Sequence, residues 1–342
     1  MAEDTPLPAI NRTATTQAAY FTPVDLRPLT TSELIDRGFS LYRAYFTGFL
    51  LLALLSQIAP LLCQVVTTLC KLNPPQNEFL DKPAAAFTKI GVLLVLGLIS
   101  QIIVFCFEVV IAFYIADAYL GKTPSVINSL RRFSTRIGSS IWTCLLNRIL
   151  LSLTMAFPLM AFTAIYLYVL FYPPQQLLAL FLISGTAILL IVASLAPVLI
   201  VFMRLMVTVP SLALEGLSGW KAVKRSSTLV RYDPGLGILY WGEMRLSFLL
   251  LPLFVIEMLL LSITSLPLVI HQINEILQHG SGSQVSNAPD TVVIISQVLM
   301  FLTGAFILPL YSIATTLFYY DVRIRREGFD LEFMAHNMGV QK

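Results

Sequence analysis

The chain has 342 residues, of which 57% are hydrophobic and only 12% charged, with a mean hydropathy of +0.80. A soluble domain carries about a quarter of its residues charged, so this composition excludes an ordinary soluble enzyme and requires apolar surface to face lipid. The net charge of +3 is no argument for a nucleic-acid partner, because the basic excess sits in connections between apolar runs, where anionic headgroups account for it.

Residues 1–45 are polar and hold no apolar stretch ending in a small-residue cleavage site, so no secretory signal is read there. Residues 1–29 are expected to be a disordered cytoplasmic segment. Thr30 followed by Glu33 predicts a capping box, with Leu34, Leu41 and Tyr45 recurring behind it at helical spacing. Six apolar runs follow, at about 46–70, 89–119, 138–171, 176–209, 236–269 and 290–320. Each meets the roughly 20 residues that a helix needs to cross the hydrocarbon. The fold class is therefore all-α, a polytopic membrane protein with one six-helix domain over 30–332 and a flexible tail at 333–342. Pro60, Pro158, Pro197, Pro252, Pro267 and Pro309 lie inside the runs as candidate kinks. Tyr114, Tyr119, Trp142, Tyr168, Tyr240, Trp241, Tyr319 and Tyr320 lie near their ends, where interfacial belts form.

Basic residues alternate between connections. With the N-terminus inside, Arg12, Arg27, Arg37, Arg43, Lys122, Arg131, Arg132, Arg136, Arg204, Lys221, Lys224, Arg225, Arg231, Arg323, Arg325, Arg326 and Lys342 are cytoplasmic, seventeen in all. Only three, Lys71, Lys82 and Lys89, fall outside, which predicts N-in, C-in topology. The outer connections are short: Pro74-Pro75 within 71–88, the turn Tyr172-Pro173-Pro174-Gln175, and a Gly/Ser/Asn stretch over 279–290. The four cysteines, Cys63, Cys70, Cys106 and Cys144, lie in or beside apolar runs and read as small buried hydrophobes. Cys63 and Cys70 are about 10 Å apart along one helix, too far for a disulfide.

Each inner connection predicts a short amphipathic helix before a span. The first follows Thr30. In the second, Gly121 ends the preceding helix, Thr123 caps, Pro124 suits a first turn, and Val126, Ile127, Leu130 and Phe133 form the apolar side. The third follows Ser218, with Leu217, Trp220, Val223 and Val230 on one side and Lys221, Lys224, Arg225, Thr228 and Arg231 on the other, the pattern of a helix lying on the inner leaflet. These helices precede spans one, three and five, so the chain parses as three units of surface helix, span, outer turn and span. An arginine near the end of each surface helix (Arg43, Arg136, Arg231) is followed within five residues by a glycine (Gly48, Gly138, Gly235).

Ionisable groups at membrane depth cost at least about 2.5–3.5 kcal/mol unless paired or wet. Glu108, Arg148, Glu243, Arg245 and Glu257 are the candidates, read either as ion-paired packing or as a polar cavity opening to the cytosol. Glu108 is expected to pair with Arg148 across adjacent helices, and Glu257 has no evident partner. No GxSxG, P-loop, HExxH or EF-hand motif is present, so no catalytic residue, cofactor or metal is assigned. His271, Glu275 and His279 fall on the last outer connection at a spacing that can share a helix face, while His336 is remote; a mobile flank gives such a set little preorganisation. The segment Tyr319 to Asp330 places Asp321 against Arg325 and Arg323 against Glu327 at i,i+4 if helical. It reads as an inner-leaflet anchor, or as a clasp on the basic helix after span four. Glu215, Trp220, Lys221, Lys224, Arg225, Arg231, Asp321, Arg323, Arg325 and Glu327 make up the expected cytoplasmic surface.

Ala213-Leu214-Glu215-Gly216 with Gly219 through Ser226, the ending Tyr320-Asp321 through Glu327-Gly328-Phe329-Asp330, and the opening Arg27-Pro28-Leu29-Thr30 with Glu33 through Arg37 resemble motifs of bacterial membrane proteins grouped with the glycerophosphoryl diester phosphodiesterase membrane domain. The resemblance implies a six-helix domain in the bacterial inner membrane, sometimes fused to a soluble phosphodiesterase. No such domain follows residue 332 here, nor its His/Glu/Asp set, so catalysis does not carry over. The expectation is a non-enzymatic protein that organises or regulates a membrane-protein partner in the bilayer through its charged inner face. The alternative is a small-solute or lipid-handling transporter with a polar cavity opening to the cytoplasmic side.

Overall fold

Helix formation begins where the capping chemistry places it. In the computed structural model, which describes residues 27–72, 82–171, 177–231, 242–279, 289–329 and 331, Glu33 N–H donates to the Thr30 hydroxyl and Thr30 N–H donates to the Glu33 carboxylate. This closed capping box opens α1, Thr31–Ala44. The Thr30 N–H, and then Arg27, hold the Glu33 carboxyl down at a pKa of about 2. Expectations for residues 1–26, Pro74-Pro75, the turn 172–175, Gly235, Tyr240, Trp241, the loop 280–288, Asp330, His336 and the tail 333–342 lie outside the described residues.

Next come α2, Phe46–Leu69, and α3, Pro83–Tyr119. Helix α3 begins at Pro83, six residues before the expected start, because a proline fits a first helical turn. It ends at Gly121, whose φ of +74° lets the Lys122 N–H reach back to the Asp117 carbonyl at 2.9 Å. The short α4, Val126–Ser134, has Ser125 rather than Thr123 at its N-cap position, with no side-chain capping bond. Then follow α5, Ile137–Phe171, and α6, Leu177–Met206. The fourth run was expected to continue to 209, but it breaks at Val207 and restarts as α7, Thr208–Glu215. Pro210 explains the break: in an unbroken helix its ring would clash with the Met206 carbonyl, whereas in a new first turn it is tolerated. Helix α8, Trp220–Val230, leads to α9, Gly242–His279, and α10, Asp290–Glu327. Helix α9 runs well past the expected 269, so His271 and His279 are helical, not on a loop. Six helices are long and apolar enough to cross a membrane, and no strand occurs among the described residues.

The long helices form three hairpins, α2/α3, α5/α6 and α9/α10, and the outgoing helix of each also packs against the incoming helix of the next: α3 on α5, α6 on α9, and α10 back on α2. Between hairpins, the packing around this ring is tightest between α10 and α2 and slackest between α6 and α9. Each short helix leans on the outgoing helix of the preceding hairpin: α4 on α3, α8 on α6, and α1 on α10. This cyclic order is what three-fold repetition would give, except that α7 has no counterpart and α3 also touches α10 across the middle.

The core concentrates at the end carrying the basic connections, where Leu41, Phe49, Ile111, Ile115, Tyr119, Leu317 and Tyr319 are fully enclosed. In lipid such packing rests on dispersion and close approach, since hydrocarbon is as apolar as leucine. Gly48 provides one close approach, because a Cβ there would fall 2.6 Å from Tyr114 Cζ. Tyr114, Tyr119, Tyr319 and Tyr320, expected in interfacial belts, are buried instead. Tyr119 stacks on Tyr320 at 5.0 Å, and the Arg37 guanidinium lies 5.2 Å over the Tyr119 ring. The short helices cover that end of the bundle, so its rings meet protein. Trp142 and Trp220, 59% and 60% exposed, are the aromatic pair facing outward there, on either side of Gly219, whose N–H donates to Thr143 at 2.8 Å.

Candidate functional site

The five ionisable residues expected at membrane depth do not form one site. Arg204 donates to Glu243 at 2.7–2.8 Å, tying α6 to α9 near the basic end. Arg245 pairs with Asp321 at 2.9 Å. Arg148 donates to the Gln101 side chain on α3, and no ion pair joins it to Glu108 among the described residues, contrary to expectation. Register is the reason. Cys144 lies against the Gln101 carbonyl at 3.9 Å, so the next turn of α5 carries Arg148 to the Gln101 amide, two turns of α3 away from Glu108.

Glu108 and Glu257 converge instead on a cavity of about 660 Å³, within the usual size of a small-molecule site. It occupies the slack seam of the ring. Leu199, Phe202, Met203 and Met206 of α6 form one wall, and Leu250, Leu251, Phe254 and Met258 of α9 form the other. The floor is polar: Glu108 from α3, Glu257 from α9, and Tyr311, Ser312, Thr315 and Thr316 from α10. Glu257 was read as lacking a partner, yet Tyr311 donates its hydroxyl to it at 2.8 Å. Thr316 is 1% exposed and its Oγ1 has no hydrogen-bond partner. Such a group costs about 1–3 kcal/mol unless something binds it. Among the described residues no Lys, Arg or His lines this cavity, so its complement is a group that donates hydrogen bonds, an amine or hydroxyl, attached to an apolar body. Phe202, Leu251, Phe254 and Met258 are exposed at the rim, so the mouth opens through the side of the bundle.

Sequence reasoning missed Tyr311 and Thr316. Their signal was present, because Tyr311, Ser312, Thr315 and Thr316 form a polar stripe at i, i+1, i+4 and i+5 in an otherwise apolar run.

Of the expected cytoplasmic surface, Glu215, Arg225 and Arg323 are half-buried and Asp321 is buried, while the other six residues are exposed. Arg225 on α8 bridges Glu215 at 2.8 Å and Glu327 at 2.6 Å, and Glu327 first, then Glu215, raises its pKa above the ordinary arginine value. Tyr319 donates to Glu215 at 2.8 Å. Arg323 donates to Glu327 at 3.0 Å and lies 4.5 Å over Phe329. Arg326 closes the joint by donating to the Thr228 and Arg231 carbonyls, each at 2.9 Å. Asp321, 1% exposed, accepts from Leu29 N–H at 2.8 Å, Arg245 at 2.9 Å and Arg325 at 3.0 Å. The end of α10 is thus clasped to α8 and to the entry of α1. Trp220, Lys221, Lys224 and Arg231 remain outward, so Trp220 lies with the basic side chains rather than with buried Val223 and Val230.

His271, Glu275 and His279 share α9, and no group of three His, Cys, Asp or Glu side chains is arranged to hold a metal among the described residues. No protein-family model matches the chain, and neither a curated protein nor a solved structure matches it.

Proposed function

We propose that this protein is a non-enzymatic, membrane-embedded binder of amphipathic molecules, taking them from the bilayer through the seam between α6 and α9. One observation carries the reading: two carboxylates and the unpartnered Thr316 hydroxyl share a cavity with apolar walls and, among the described residues, no cation in its lining. A carboxylate with no ion pair in such surroundings is costly, and a ligand amine or hydroxyl offsets that cost while its chain fills the space between Phe202 and Phe254. This develops the lipid-handling alternative read from the sequence, with the mouth on the side of the bundle instead of the cytoplasmic side and Arg148 outside the lining. The partner-organising reading would use the face where Glu215, Arg225, Asp321, Arg323, Arg325 and Glu327 bond to one another or to neighbouring helices, with Trp220, Lys221, Lys224 and Arg231 outward beside them. The proposal includes N-in, C-in orientation, with α1, α4 and α8 on the inner leaflet. It also includes kinship with the membrane domain of the glycerophosphoryl diester phosphodiesterase group, and hence a bacterial inner membrane, supported by the motifs around Glu215, Trp220 and Asp321.

The test compares thermal unfolding of purified protein with dodecylamine, dodecanol and dodecanoic acid. The amine, and more weakly the alcohol, is expected to raise the midpoint of wild type, the acid not. Glu108→Gln and Thr316→Val should each weaken the amine effect, Glu108→Gln by roughly tenfold in apparent affinity, about 1.4 kcal/mol. Equal stabilisation by acid and amine, or variants that respond like wild type, would overturn the reading.

A further inference from the structure

A second cavity, of about 560 Å³, lies at the basic end, between the last turn of α3 and α4. Its polar lining is Asp117, Asn128, Arg131, Arg132, Thr135 and Arg136, around the ring of Phe113. Three guanidiniums face one carboxylate, a local excess of two positive charges.

Two of the arginines are held in place by the protein. Arg132 donates to both Asp117 oxygens, at 2.9 and 3.1 Å, with its guanidinium 4.6 Å over the Phe113 ring. Arg136 lies 5.7 Å over the same ring, and its Nη1 donates to the Leu212 and Ala213 carbonyls at 3.0 and 2.9 Å. Those carbonyls belong to the last turn of α7, so Arg136 also completes a helix end. The third, Arg131, is exposed and makes no ion pair among the described residues. Like charges gathered around one ring repel and remain together only at a cost, which an anion removes. Arg binds phosphate through parallel N–H donors, and the Asn128 amide adds a neutral donor.

We propose that this arginine cradle binds a phosphate group, the charge excess matching a phosphate monoester dianion or, less fully, a phosphodiester. The group can come from the headgroup of an anionic phospholipid or from a water-soluble phosphate compound. The site is independent of the acidic cavity between α6 and α9, and neither needs the other.

The experiment uses the full chain, wild type, Arg131→Gln and Lys221→Gln, the last removing an exposed cation outside the cradle. Arg131 has no ion pair to lose, so its variant is expected to fold. In one arm inorganic phosphate is titrated in detergent against chloride of equal ionic strength, with the unfolding midpoint as readout. In the other, each protein is placed in nanodiscs of phosphatidylcholine with or without phosphatidylglycerol, and the lipids retained on extraction are counted by native mass spectrometry. The expected result is a saturable response of wild type in at least one arm, weakened roughly tenfold in Arg131→Gln and unchanged in Lys221→Gln. A response to phosphate alone assigns a soluble ligand, and a response to phosphatidylglycerol alone or to both assigns the lipid headgroup. No response in either arm, or an equal loss in both variants, overturns the proposal.

Discussion

Asp321 shows what a single carboxylate does in this bundle. It is almost wholly enclosed, and its partners come from three places: Leu29 before α1, Arg245 on α9, and Arg325 one turn along its own helix. Removing one member of a buried ionic set leaves the others charged and unpaired, which typically costs about 3–5 kcal/mol. Asp321→Asn keeps the shape and removes the charge, so its unfolding in a denaturing-detergent titration should fall by an amount in that range. Lys224→Gln, at an exposed position on α8, should stay within about 0.5 kcal/mol of wild type; equal behaviour of the two variants would rule out this role for Asp321. The Arg325 contact was legible in the sequence as an i,i+4 pair. Those with Arg245 and Leu29 were not, because partners 76 and 292 residues apart are joined only by the packing of the helices that carry them.

Helix ends were the elements most legible in advance, because caps are local chemistry. Thr30 with Glu33 opens α1 and Gly121 closes α3, each within a few residues of its own signal. The break between α6 and α7 escaped notice because the run from 176 to 209 stays predominantly apolar on both sides of Arg204, and only Pro210, at its edge, marks the restart. The joint between α8 and α10 was readable as charge on two segments but not as a bonded pair. Arg225 and Glu327 are 27% and 31% exposed, so their coupling lies well below that of a buried pair. A double-mutant cycle of Arg225→Ala and Glu327→Ala should return a favourable interaction of about 1 kcal/mol. The same cycle between Lys221 and Glu327, with no bond between them among the described residues, should return nothing measurable. An Arg225–Glu327 value of zero would mean that the carbonyl bonds of Arg326 hold the two helices without help.

Over the whole molecule, the count of spans was legible and their register was not. Six apolar runs announce six long helices, but whether Glu108 meets Arg148 or faces a cavity depends on how far one helix slides along another, and an apolar surface in lipid leaves that to close packing. The ring order has the same origin: its seam at α6 and α9 is where the proposed ligand would enter, and nothing in either run distinguishes it from the tightly packed α10 and α2. Orientation is the property the sequence states most strongly. Each Lys or Arg beside an anionic leaflet gains about 1 kcal/mol, and the sequence pattern assigns seventeen basic residues to one side against three to the other. Impermeant maleimide added to intact cells should therefore label a cysteine placed at Lys82, while cysteines at Lys122 and Lys221 should react only after permeabilisation, in a background with Cys63, Cys70, Cys106 and Cys144 replaced. The opposite pattern would invert the molecule, turning the arginine cradle and the exposed Trp142 and Trp220 to the outer face. Labelling of all three sites from one side would break the hairpin assignment itself, since Lys82 and Lys122 sit at opposite ends of α3, and a 37-residue helix spans about 55 Å, more than the full thickness of a bilayer.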